Sequence, residues 1–176
     1  MKLANVRKLV VCAMLAALYT AVSLALAPLS FGIVQIRFAE AFTLLATLST
    51  VGIFGVTLGC LLTNLVGVLI GTTLAPDVLF GTLATFIAAL LSYQLRHVRV
   101  KGLALPSALP PILVNAVVIG IELTWFYSDG VHLSILLVNM LSVGLGQIIP
   151  CAVLGVLLIY TLERSRLDER LFKQFA

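Results

Sequence analysis

Five stretches of this chain carry no Asp, Glu, Lys or Arg: residues 9–36, 41–76, 78–95, 102–121 and 133–162. A helix needs roughly 20 mostly apolar residues to cross a bilayer, so each stretch is long enough for at least one crossing once a polar residue is allowed at the interface. Only 10% of the chain is charged and 61% is hydrophobic, against about 25% charged in an average soluble domain. A water-soluble fold of this size has no interior large enough to hide that apolar surface. The sequence therefore reads as an all-α integral membrane protein forming a single membrane domain.

The basic residues give the chain a direction. Ten of the eleven fall in three clusters: Lys2, Arg7 and Lys8; Arg96, Arg99 and Lys101; Arg164, Arg166, Arg170 and Lys173. Lys and Arg near helix ends favour the cytoplasmic side, so all three clusters belong inside and an even number of crossings separates neighbouring clusters. Two crossings fit between Lys101 and Arg164, broken near Tyr127-Ser128-Asp129-Gly130. Four fit before Arg96. The expectation is six transmembrane helices, N-in/C-in, over about 9–28, 37–51, 53–72, 77–95, 106–127 and 133–162. A tight turn is expected near Thr50-Val51-Gly52, and an amphipathic tail over 163–176 at the inner surface. The first apolar run is too long for a signal-peptide core and reads as a retained helix. Pro28 ends the first helix, Gly71 and Pro76 mark a turn, and Pro106, Pro110 and Pro111 open the fifth helix, where the first turn tolerates proline.

This topology gathers the remaining charges toward the outer side. Arg37, Glu40, Asp77, Glu122 and Asp129 all fall at outer helix ends or in outer loops. Ionisable groups near hydrocarbon face partners or a polar cavity. Arg37 and Glu40 are three apart and able to pair; Glu122 and Trp125 share the same spacing. Deeper lie Asn64, Asn115, Asn139 and Gln147, which need hydrogen-bond partners in a dry interior. Together these residues suggest a substrate pocket opening outward. Plainer readings stand beside it. Arg37–Glu40 fits an interfacial ion pair, Asp77 a helix cap, Asp129 a solvated loop residue, Trp125 an interface-belt aromatic and the amides interhelical glue.

Ala13, Ala17, Ala21 and Ala25 recur at four-residue spacing on the first helix. Such a ridge lets another helix approach closely, either within the bundle or on a partner membrane protein. Cys12, Cys60 and Cys151 are isolated and read as packing residues, and no metal or cofactor is expected. His97 and His132 are loop residues without a second ligand at useful spacing. Neither a P-loop nor a metalloprotease nor a serine-nucleophile pattern occurs, so the chain does not read as an enzyme. The placement of its basic residues argues against nucleic acid as a partner.

Several segments, in order, resemble the QueT family of substrate-binding S components of energy-coupling factor (ECF) transporters. They are Ile36-Arg37-Phe38-Ala39-Glu40-Ala41, Gly59-Cys60-Leu61-Leu62-Thr63-Asn64-Leu65 and Asp77-Val78-Leu79-Phe80-Gly81-Thr82-Leu83-Ala84-Thr85. Pro110-Pro111-Ile112-Leu113-Val114-Asn115-Ala116, Gly120-Ile121-Glu122-Leu123 and Val143-Gly144-Leu145-Gly146-Gln147 follow. Gln147 stands where that pattern more often carries an acid. The resemblance implies a bacterial cell-membrane protein that binds a small-molecule substrate from outside, under loops near 29–36 and 72–76. It implies docking of the alanine ridge on a transmembrane coupling protein driven by two ATPase subunits. The implied substrate is a queuosine precursor, a flat 7-deazaguanine whose donors a carboxylate such as Glu122 would accept and on whose ring Trp125 or a Phe would stack. Other readings remain: a self-contained proton-coupled carrier with Glu122 or Asp77 as proton site, and a membrane assembly protein whose polar residues only join helices.

Overall fold

A computed structural model describes residues 3–30, 36–127 and 132–172. Its elements are α1 Leu3–Ala25, α2 Ala27–Ser30, a 3₁₀ helix Phe38–Thr47, α3 Thr50–Leu69, α4 Ala75–Gln94, α5 Leu109–Tyr127, α6 Leu133–Gln147, a π-helical stretch Ile148–Gly155, α7 Val156–Arg164 and α8 Leu167–Leu171. A single 3₁₀ turn, Pro106–Ala108, leads into α5.

The expectation of six membrane-spanning helices is corrected to five. The long apolar helices are Asn5–Ala25, Thr50–Leu69, Ala75–Gln94, Pro106–Phe126 and Leu133–Arg164. The segment expected as a second crossing forms only the ten-residue 3₁₀ helix, with eight of its residues buried. Its sequence explains why. Arg37, Glu40, Thr43, Thr47 and Ser49 interrupt the apolar pattern, and all five are buried inside protein, where partners satisfy groups that lipid could not.

This short helix still returns the chain from one end of the bundle to the other. α1 and α3 run parallel: a Cβ on Gly55 would meet the Leu15 side chain at 2.8 Å, and one on Gly59 would meet Tyr19 at 2.6 Å. The Thr20 hydroxyl also donates to the Gly59 carbonyl at 3.1 Å. Glycine on α3 is thus what admits α1 so closely. Two parallel neighbours require a return between them. At about 2.0 Å per residue, 3₁₀ winding carries ten residues roughly a third further than the 1.5 Å rise of an α-helix. The turn into α3 falls at Leu48–Ser49 rather than at Thr50-Val51-Gly52, which lie in the first turn of α3.

α5 and α6 are antiparallel, with Gly120 against Met140 and Gly144 against Ala116. The last long helix continues through Pro150, which has no N–H to give an α-helical ladder; the chain passes it in π-helical winding. Gly155 lies against the Ala41 carbonyl and Leu44, so the π stretch packs on the 3₁₀ helix.

The basic segments meet at one end. Lys8 lies beside Thr50 and Val51, and Thr47 and Leu48 share a cleft with Arg96, His97, Arg99, Glu163 and Asp168. Arg99 binds Glu163 through two contacts, at 2.6 and 3.3 Å. The tail does not merely lie on this surface. Asp168 and Phe172 are buried, and Phe172 joins the core of Leu44, Leu45, Leu48, Ala104, Ala108 and Ile159.

Candidate functional site

At the end of the bundle opposite the basic segments, three elements bring charged residues inward. Arg37 precedes the 3₁₀ helix and reaches Asp77 in the first turn of α4, Nη2 to Oδ1 3.4 Å. The cap residue of α4 is Leu74, and Asp77, three residues on, turns one carboxylate oxygen to the arginine. Glu122, on α5, lies within electrostatic reach of both Asp77 and Arg37.

Glu40 belongs to a different arrangement. It is 0% exposed. Tyr19 Oη of α1 donates to its Oε1 at 2.7 Å, Thr85 Oγ1 of α4 donates to the same oxygen at 3.0 Å, and Thr43 Oγ1 donates to Oε2 at 2.7 Å. Three hydroxyls, two of them on other helices, thus hold one carboxylate. Its chemistry is that of a tie between the 3₁₀ helix, α1 and α4.

The amides divide in the same way. Asn64 Nδ2 donates to the Asp77 carbonyl at 2.9 Å and so joins α3 to the start of α4. Asn139, half-buried, donates to Thr124 Oγ1 at 3.0 Å and joins α6 to α5. Asn115 is 0% exposed, and neither its Nδ2 nor its Oδ1 has a hydrogen-bond partner. Gln147, also 0% exposed, accepts a weak bond from the Cys151 thiol at 3.5 Å while its Nε2 has no partner. The antiparallel register of α5 and α6 puts these two amides at similar depth. Two turns along α5, Glu122 is 5% exposed and its Oε2 has no partner.

Above Glu122 a groove of about 360 Å³ opens between α4 and α5, lined by Phe80, Val118, Ile121, Glu122, Trp125 and Phe126. Phe80 and Phe126 face each other with ring centroids 6.5 Å apart and planes tilted by 50°. Trp125 is 69% exposed at the rim. Asp129 lies outside the described residues, as does most of the loop near 29–36.

The residues expected at the site therefore fall into three groups. Glu122, Asn115 and Gln147 offer unpaired polar atoms, and Trp125 edges the groove. Arg37 and Asp77 hold each other next to them. Glu40, Asn64 and Asn139 are engaged in joining helices. Sequence reasoning missed Tyr19, Thr43 and Thr85 as partners of Glu40 and Phe80 and Phe126 as groove walls. A buried acid implies hydroxyl donors somewhere, but sequence spacing does not say on which helix.

The alanine ridge faces outward. Ala13, Ala17, Ala21 and Ala25 are all exposed, whereas α1 buries Leu15, Ala16, Tyr19 and Ser23 against the bundle. Among the described residues, no group of three or more His, Cys, Asp and Glu could hold a metal ion.

Comparison with curated proteins and with solved structures gave no match. Comparison with protein families matched residues 9–164 to the QueT transporter family, a span that contains all but the first residues of the five apolar helices, the 3₁₀ helix and every site residue above. This chain is accordingly a multi-pass membrane protein of the QueT transporter family, a transport protein linked to queuosine precursors rather than an enzyme.

Proposed function

We propose that this chain is the substrate-binding subunit of an ATP-driven ECF importer and captures a 7-deazaguanine queuosine precursor at the end of the bundle away from its basic segments. The observation that carries this reading is the set of unpaired polar atoms on α5 and α6. Asn115 Nδ2 and Gln147 Nε2 are donors; Asn115 Oδ1 and Glu122 Oε2 are acceptors. Each such group left unpaired in a buried setting costs about 1–3 kcal/mol. A planar heterocycle that both donates and accepts would offset much of that cost, and the neighbouring Phe80, Trp125 and Phe126 offer rings for it to stack on. Basic residues favour the cytoplasmic side, so the gathering of Lys8, Arg96, Arg99 and Arg164 at the other end supports an outward-facing site.

The chain has no P-loop with which to drive release. Family membership implies association with the other ECF components. The exposed ridge of Ala13, Ala17, Ala21 and Ala25 suits close approach by a helix of the transmembrane coupling protein, which two ATPases would drive. The direct test is mass spectrometry of small molecules carried through purification of the full chain, with thermal unfolding in detergent as the second readout. A 7-deazaguanine that co-purifies, and that raises the melting temperature when added back, is the expected result. If no 7-deazaguanine co-purifies or stabilises the protein, the substrate assignment is wrong. Uptake by this chain without any ATPase would refute the subunit role.

A further inference from the structure

The tail after the last spanning helix presents different chemistry on each of its sides. The chain reverses at Arg166, whose φ of 54° lies in the left-handed region, and α8 follows. Successive residues on a helix step by about 100°. Leu167 and Leu171 therefore share one stripe, Asp168 and Phe172 the next, and Glu169 lies roughly 160° from the leucines. Asp168 and Phe172 are buried against the bundle, and Phe172 enters the core that holds Leu44, Leu45 and Leu48. Leu167 and Leu171 are 41% and 43% exposed. One step from the buried stripe, they face along the flank of the bundle. Arg170 occupies the step on their other side and is exposed. At the end of α7, exposed Arg164 donates to Tyr160 Oη at 3.1 Å. Tyrosines at helix ends commonly sit at headgroup level.

We infer that α8 and the end of α7 form a binding surface for anionic phospholipid, with Leu167 and Leu171 in the acyl boundary and Arg164 and Arg170 on headgroup phosphates. An apolar stripe flanked by arginines, with an acid opposite, is the pattern of a helix lying in the plane of the interface. Arginine stems cover apolar surface while their heads reach the phosphates. The nearby acids do not cancel the attraction. Glu163 is bound to Arg99 at 2.6 Å, Asp168 is buried and Glu169 is turned from the leucines. The sequence of the three basic segments at this end carries ten Lys and Arg against these three acids, which suits a leaflet of negative surface potential. Five residues would not hold such a position alone; Phe172 fixes it from the protein side. The lipid-held tail in turn steadies the core around Leu44, Leu45 and Leu48, at the end of the 3₁₀ helix remote from Arg37.

The test compares thermal unfolding of the full chain in neutral detergent doped with phosphatidylglycerol or, at the same level, phosphatidylcholine. Phosphatidylglycerol is expected to give the higher melting temperature, by about 4 °C or more, and to slow amide hydrogen exchange over residues 167–172. Two double variants at exposed positions, Leu167→Ser with Leu171→Ser and Arg164→Gln with Arg170→Gln, should each lose more than half of that gain and the exchange protection. Lys101→Gln, a charge change in the loop at the same end, should keep both. No gain in the unmodified protein, or a gain that both double variants keep in full, overturns the lipid surface. So does exchange over 167–172 that is indifferent to the lipid. If the leucine variant keeps the gain but abolishes uptake in cells that also make the coupling protein and ATPases, the stripe is a protein contact and the inference falls.

Discussion

Glu40 and Glu122 are both buried glutamates in one membrane bundle, and their surroundings differ in kind. Glu40 sits where three elements meet and accepts hydroxyl hydrogen bonds from Tyr19, Thr43 and Thr85. Glu122 sits beneath an open aromatic groove and keeps one oxygen unpartnered. The same contrast separates Asn64, which ties α3 to α4, from Asn115, whose amide bonds to nothing. Burial alone therefore does not mark a binding residue here. The mark is a buried polar atom whose partner the protein does not supply.

Substitutions can break or sharpen this contrast, and the largest effect is expected at Glu40. Glu40→Ala strands three hydroxyls at once, two of them on other helices, and should cost at least about 3 kcal/mol of stability, read as a lowered melting temperature in detergent. A melting temperature close to that of the unmodified protein would mean that Glu40 is not the tie described. Tyr19→Phe removes one hydrogen bond to that charged acceptor and should cost about 1.5–3 kcal/mol. Its unfolding curve should lie between those of the unmodified protein and Glu40→Ala, with ligand affinity in the folded protein little changed.

On the other side of the contrast, stability and binding should part company. Asn115→Leu keeps the volume and removes two unsatisfied polar atoms, so it should be neutral or stabilising while weakening the 7-deazaguanine by about tenfold, or 1.4 kcal/mol. Calorimetric titration beside thermal unfolding checks both halves; a loss of stability without a loss of affinity would assign Asn115 to packing. The smallest effect on the isolated chain is expected outside both regions. Ala17→Leu lies on the exposed ridge and should move stability by no more than about 0.5 kcal/mol with ligand affinity intact. It should nonetheless abolish uptake by cells that also make the coupling protein and ATPases. Full uptake would remove the ridge as the docking face.

The membrane class was legible because composition and run length decide it. A soluble interior cannot accommodate five long charge-free stretches. The gathering of the basic segments at one end was legible for a similar reason, since charge placement near helix ends is a property of position along the chain. The count of crossings was not. Counting charges required a return between α1 and α3 and assigned it a transmembrane helix. The return is a ten-residue 3₁₀ helix inside the protein, packed against Gly52 and Gly155 of neighbouring elements, where a Cβ would meet the Leu45 and Ala41 carbonyl oxygens. The expected partner of Arg37 also changed. Spacing proposes Glu40, three residues away, but Asp77, forty residues away, holds the guanidinium at 3.4 Å and Glu40 turns to hydroxyls.

By itself, the sequence determined that this chain lives in a bilayer, which residue types would be costly there, and that several of them cluster toward one end. Those are consequences of transfer free energies, which belong to each residue and its near neighbours. Tertiary structure alone decided which costly residues are satisfied. A hydrogen bond depends on distances of a few ångströms between side chains on separate helices, and no local pattern encodes them. That is why Glu40, Asn64 and Asn139 resolved into ties, Ala13, Ala17, Ala21 and Ala25 onto an outer face, and Glu122, Asn115 and Gln147 into groups that each keep at least one buried polar atom unpaired.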